Sequence, residues 1–225
     1  MASLSPATLP PKPSTQDVDD MASHRHIYLY AFLFVALLAF VIPTGHGYEP
    51  QTGDIIFHTS RSSQSLAIQQ ATGSPYSHMG MVVIRDKKPY VFEASRRVTY
   101  TPLDVWIARG VDGKFVAKRV KAGLSSDQQK RLQQTAERYV GKLYDLTFSW
   151  SDERQYCSEV VWKIYSNALG MNIGQLQKLG DFNLNSPAVK AKLKERYGDR
   201  IPLNETVISP QAMFDAGQLY TVAEK

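Results

Sequence analysis

Arg154-Gln155-Tyr156-Cys157-Ser158-Glu159-Val160-Val161-Trp162 holds the single cysteine of this 225-residue chain. The residues around and after it read as a helix. Val160, Val161, Ile164 and Ala168 recur at helical spacing, and Gly170 is a natural stop. Cys157 then falls at or near the helix N-terminus, where the macrodipole and unpaired amides favour a thiolate over a thiol. A cysteine that attacks a carbonyl needs that placement and a base nearby. The bland alternative is a buried structural cysteine, since a free thiol packs as a small hydrophobe.

The search for a base is narrowed by the N-terminal segment. Residues 1 to 20 are rich in Ser, Pro, Thr and Asp without periodicity and are expected to be disordered. From Met21 the text changes to a short basic stretch, His24-Arg25-His26, then an unbroken apolar run from Ile27 to Ile42, then Pro43-Thr44-Gly45-His46-Gly47. Charged, apolar, small-x-small is the grammar of a signal peptide cleaved after Gly47, which implies a secreted or periplasmic protein. The alternative is an uncleaved membrane anchor over 27–42, although the run is shorter than the roughly 18 to 20 residues of a comfortable span. Met1 and Met21 both stand as possible starts. A mature domain over 48–225 keeps only His58 and His78 of the five histidines.

The totals exclude several classes. The length fits one domain plus extras. One cysteine makes neither an internal disulfide nor a thiolate-rich zinc site. The formal net charge of +5 is mild, and its densest cluster, Lys190, Lys192, Lys194 and Arg196, reads as a solvated helix face rather than a nucleic-acid footprint. No phosphate loop, nucleotide fingerprint, metal-ligand spacing or internal repeat is present, so no cofactor is expected. The membrane is expected to be a partner only through the N-terminal segment.

Within 48–225, Gly53 to His58 reads as a strand and Ser62 to Ala71 as a helix stopped by Gly73. Ser77 to Ile84 and Tyr90 to Ala94 read as two strands of a β-hairpin around Arg85-Asp86-Lys87-Lys88-Pro89. Alternation puts His78, Gly80, Val82 and Ile84 on one face, and Val91 and Glu93 share a face of the returning strand. A short turn brings Glu93 near His78 or Gly80. A glutamate in an apolar strand wants a partner, and an imidazole is a fitting one, because the carboxylate fixes its tautomer and stabilises the imidazolium. The alternative is an edge glutamate facing water. Gly80 leaves room for another element to come close. His58 ends its strand without such company and reads as surface. Further on, a short helix begins with Pro102 in its first turn, Gly113 to Val120 is a strand, and Ser125 or Ser126 caps a long amphipathic helix running to Tyr139. Residues 172–200 read as a polar excursion with a basic helix. A short helix opened by Ser209-Pro210 and a strand from Leu219 close the chain.

Strands flanked by helices indicate an α+β fold, an antiparallel, partly barrel-like sheet with the Cys157 helix packed against it. A cysteine at a helix start facing a histidine on a sheet is the papain-like arrangement, here with the chain order reversed, and catalytic geometry does not depend on chain order.

Gly53-Asp54-Ile55-Ile56-Phe57, Ser74-Pro75-Tyr76-Ser77-His78-Met79-Gly80, Phe92-Glu93-Ala94, Thr101-Pro102-Leu103, Tyr144-Asp145 and Tyr156-Cys157-Ser158-Glu159 occur in that order. Together they resemble the permuted papain-like YaeF/YiiX group of cysteine hydrolases, relatives of the NlpC-type cell-wall peptidases. The resemblance runs from about Gly53 to Val222. It implies a circularly permuted papain-like fold with Cys157 as nucleophile, His78 as base and Glu93 as the orienting residue. Tyr144 matches a family tyrosine near the site, as pocket lining, oxyanion donor or core. Asp54 matches a recurrent position and reads as a turn or cap residue. The implied activity is thiol-dependent hydrolysis of an amide, with peptidoglycan peptides as the first substrate expected. The alternatives are a lipid-directed acyl hydrolase or acyltransferase, and a non-catalytic binding module.

Overall fold

A computed structural model describes residues 47–225. The expected leader over 1–20 and the charged and apolar segment that begins at Met21 lie outside the described residues, up to His46. Among the described residues no helix is long and apolar enough to cross a membrane.

The core element is a six-stranded antiparallel sheet. Its strands are β1 (Ile55–His58), β2 (His78–Arg85), β3 (Lys88–Ala94), β4 (Val98–Pro102), β5 (Val116–Val120) and, last in the chain, β10 (Leu219–Glu224), in the spatial order β10-β5-β1-β2-β3-β4. The sheet is open, with β10 and β4 as its edges, so the expected barrel-like character stops short of closure. Two small ladders sit outside it, β6 (Leu143–Tyr144) parallel to β7 (Arg154–Gln155) and β8 (Gln177–Lys178) antiparallel to β9 (Thr206–Val207).

Alternation along the strands makes two cores. On one face, Ile55, Phe57, Met79, Met81, Val83 and Phe92 pack against the Cys157 helix through Val160, Val161, Ile164 and Tyr165. On the other, Ile56, Val82, Val91 and Ala117 bury Leu103 and Trp106 of the short helix Leu103–Ala108. That helix begins one residue later than expected. Pro102 is extended and pairs with Tyr90, so it ends β4 rather than opening the helix. β4 itself was not expected; it is an edge strand that pairs only with β3.

The helices obey their end signals. Ser125, not Ser126, caps the helix Ser126–Glu137 in a capping box, its hydroxyl accepting from the Gln128 N–H at 3.2 Å while Gln128 Oε1 accepts from the Ser125 N–H at 2.8 Å. The Cys157–Leu169 helix stops at Gly170, whose φ of 66° suits glycine. In the excursion over 172–200, Ser186 caps a helix spanning Pro187–Tyr197, with Pro187 in its first turn.

Candidate active site

The hairpin register pairs Met81 with Phe92 and Val82 with Val91. One step further, Glu93 stands across from Gly80 and diagonal to His78. A diagonal neighbour is within reach of a long side chain, and Glu93 Oε2 lies 2.6 Å from His78 Nε2. Gly80 permits this. A Cβ there would come within 2.4 Å of Val91 Cγ1 and 2.7 Å of the Phe92 carbonyl. The element that approaches Gly80 is therefore its own partner strand.

Glu93 is fully buried and fully engaged. Oε2 also accepts from Trp106 Nε1 at 3.1 Å, and Oε1 accepts from Thr101 Oγ1 at 2.6 Å and from Arg109 Nη2. Burial alone would raise its pKa, but His78, Thr101 and Arg109 prevail and bring it down to about 2. Sequence reasoning did not find Thr101, Trp106 and Arg109 as its partners. The only signal was the closeness of Thr101-Pro102-Leu103 and Trp106 to the hairpin, and their convergence depends on β4 folding back.

His78 is the first residue of β2, 13% exposed at the end of the sheet. Burial pulls its pKa down, yet Cys157 and Glu93, each as a hydrogen-bond partner and as a charge, raise it to about 9. With Nε2 turned to Glu93, Nδ1 is the ring nitrogen left for the thiol. The thiol reaches this point from the opposite face of the sheet. Cys157 is the first residue of its helix and is 3% exposed within the core that the helix forms with Met79 and Phe92.

His58 corrects the expectation of a surface residue. It is 2% exposed and stacked on Trp106, with ring centroids 3.9 Å apart and planes 16° from parallel. Its centroid lies 5.3 Å from that of His78. Its Nδ1 is buried without a partner among the described residues. Burial, then the neighbouring His78, brings its pKa down to about 3, so it stays neutral beside the charged His78. The burial comes from Trp106, far along the chain, which no local pattern around His58 could announce.

The start of the Cys157 helix is pinned to Ile208, the residue just after β9. Tyr156 Oη accepts from the Ile208 N–H at 3.0 Å, Ser158 Oγ donates to the Ile208 carbonyl at 2.7 Å, and Glu159 Oε2 accepts from the Tyr156 N–H at 3.2 Å. Tyr144 stands beside the thiol. Burial, then Cys157, pushes its pKa up, so its hydroxyl keeps a proton to donate. Gln64 Nε2 donates to that hydroxyl at 3.0 Å, and Arg196 Nη2 donates to Gln64 Oε1. Asp54 is structural, as expected. It accepts from Tyr48 Oη at 2.8 Å and the Gln51 N–H at 2.9 Å, and pairs with Arg119 through both oxygens.

Two cavities open onto this centre. One of about 810 Å³ is lined by His58, His78 and Tyr144, and by the basic side chains of Arg61, Arg96, Arg109, Arg154, Lys192 and Arg196. The other, about 90 Å³, is an apolar slot against Cys157 and Tyr144, walled by Ile68, Phe148, Leu179, Phe182 and Ile208. Lys192 and Arg196 therefore do more than form a solvated face. They turn inward to the large cavity, while Lys190 and Lys194 are exposed.

Residues 49–223 match the family described as permuted papain-like amidase enzyme, YaeF/YiiX, C92 family. The chain belongs to this family. It is 67% identical over 178 residues to a protein of Escherichia coli (strain K12) described as uncharacterized protein YiiX, covering 79% of this chain and 88% of that relative. It is also similar to a crystal structure described as the metalloprotein yiiX from Escherichia coli O157:H7. The TM-score is 0.78 at 67% identity, over 79% of this chain and 99% of that one. The fold is thus the permuted papain-like one, and membership makes this a cysteine amidase of the papain-like kind.

Proposed function

We propose that the amidase reaction runs through Cys157, His78 and Glu93. The observation that supports this best is His78 itself, held at 2.6 Å by the buried Glu93 on one ring nitrogen. His78, charged as an imidazolium, holds the proton that the thiol gives up. The sulfur attacks the amide carbon, forming the S–C bond, and the carbonyl electrons move to oxygen. The backbone N–H of Cys157 at the helix start and the hydroxyl of Tyr144 are the donors for that oxyanion. The intermediate collapses with cleavage of the C–N bond as the His78 imidazolium gives its proton to the departing nitrogen. Water, losing a proton to His78, then attacks the thioester, breaks the S–C bond and releases the acid. Glu93 keeps the ring in its tautomer and stabilises the imidazolium.

The E. coli O157:H7 relative is described as a metalloprotein. Among the described residues no group of three or more His, Cys, Asp and Glu side chains is arranged to hold a metal ion, and His78 Nε2 is already committed to Glu93. The residues do not fit a resident ion, and the proposed steps use side chains and water alone.

The first substrate we propose is an amide in a cell-wall peptide, supported by the secretory reading of residues 21–47, from which we also propose an envelope location. The apolar slot against Cys157 favours a second reading, an acyl hydrolase or acyltransferase that acts on lipids. The test is turnover of a panel of muropeptides and N-acyl amines by wild type and Cys157→Ala. Turnover lost in the variant supports thiol catalysis. Full activity in the variant sinks it, and no turnover with an unreactive thiol favours a binding module.

A further inference from the structure

The base and the nucleophile line different cavities. His78 lines the large basic one, Cys157 lines the apolar slot, and Tyr144 lines both. A scissile amide at Tyr144 therefore has a direction. Its carbonyl carbon faces Cys157, with the acyl group in the slot. Its nitrogen faces His78, which must protonate it, with the amine portion in the basic cavity.

The charge of that cavity is not consumed by the protein. Of its six basic residues, Arg109 is paired with Glu93 and Lys192 with Glu195 at 2.6 Å. Glu195 is the one acid among the described residues that line the cavity. Arg61, Arg96 and Arg154 have no side-chain hydrogen bond or ion pair among the described residues, and the buried Nε of Arg196 has no partner. Four guanidinium groups around one opening, with no carboxylate left to answer them, form a receptor for anions. The slot differs in kind. A further cavity of about 70 Å³ adjoins it, sharing Ile68, Phe148, Leu179 and Phe182 and extending to Val189 and Leu193. The helix Pro187–Tyr197 gives Val189 and Leu193 to this small cavity alone, while its Lys192 and Arg196 line both the small cavity and the basic one.

We infer that the substrate is an N-acylated amine whose amine portion carries an anionic group, a carboxylate or a phosphate, held by Arg61, Arg96 and Arg154, while an apolar acyl group enters the slot. This rests on the thiol amidase reading for the direction of the amide. The anion site can be tested without it.

The experiment is calorimetric titration of Cys157→Ala protein with N-hexanoyl-glutamate, N-hexanoyl-O-phosphoethanolamine and the neutral N-hexanoyl-ethanolamine, alongside hydrolysis of the same compounds by wild type. The expected result is that at least one anionic ligand binds about tenfold or more tightly than the neutral one, a margin of about 1.4 kcal/mol. Arg96→Gln with Arg154→Gln removes that margin, and added salt shrinks it. The tighter of the two anionic ligands identifies carboxylate or phosphate as the group read. Equal affinity for neutral and anionic ligands, absence of binding by all three, or a margin untouched by the arginine substitutions overturns the inference. Selective binding without hydrolysis by wild type leaves the anion site standing and counts against the amidase reading alone.

Discussion

Glu93 reaches His78 across a diagonal of the β2–β3 ladder, over the gap left by Gly80, and the contact is 2.6 Å long. The orientation of the base is thus set by a strand register and a missing side chain. Gly80→Ala should be costly for that reason. The new Cβ meets Val91 and the Phe92 backbone, and overpacking of this kind costs about 1 to 3 kcal/mol. Chemical denaturation should show that loss, and activity should fall further than stability because Glu93 is displaced. Wild-type stability in the variant would mean that the strands part without penalty.

Thiol reactivity reports the His78–Cys157 pair directly. The alkylation rate of Cys157 in the 48–225 protein should remain high at mildly acidic pH. In His78→Ala labelling should be slow there and recover only at alkaline pH. Identical profiles in the two proteins would separate the thiol from the imidazole.

Glu93→Gln replaces an acceptor of four donors by a group with two donors of its own. At least one of Thr101, Trp106, Arg109 and His78 then faces an N–H. Activity should drop on the order of 100-fold without vanishing, and the His78 titration, followed by NMR, should move down from about 9. An unmoved His78 titration would show that the carboxylate charge is dispensable.

The buried His58 sets a pH dependence of stability. Its pKa is about 3 when folded, against about 6.5 when unfolded. Between those values the unfolded chain binds the extra proton, so this residue's contribution is lost as pH falls. The slope is on the order of 1 kcal/mol per pH unit. His58→Phe keeps an aromatic ring on Trp106 and removes the titration. The difference in stability between the two proteins should therefore shift in favour of the variant from pH 6.5 to pH 5. A constant difference across that range would show His58 to be solvated.

Tyr144→Phe distinguishes an oxyanion donor from pocket lining. Loss of a donor should lower kcat by roughly 100-fold or more with little change in KM. A wall residue would instead raise KM and spare kcat.

The parts legible in the sequence were those specified locally. The Cys157 helix declared itself by apolar spacing and by Gly170, and the hairpin by alternation either side of a polar turn. The proximity of Glu93 to His78 followed from counting across that turn, though only the register decided between the two positions offered. What escaped depends on distant partners. His58 is buried by Trp106, Gln64 is met by a residue 132 positions away, and the strand Val98–Pro102 exists because β3 offers it an edge. Residues 172–200 read as a polar excursion with a basic helix, with no hint that the helix faces two cavities, because each cavity has its other wall elsewhere in the chain.

That helix has a practical consequence. Lys192, Arg196, Val189 and Leu193 touch the spaces on either side of the reacting bond, while Cys157, His78 and Glu93 lie on other elements. Recipe and kitchen are separable. Grafting another sequence onto 179–196 would give an enzyme with the same chemistry and a different diet, provided the graft keeps apolar residues at Leu179, Val189 and Leu193, which pack on Ala67, and keeps Arg196, through its bond to Gln64.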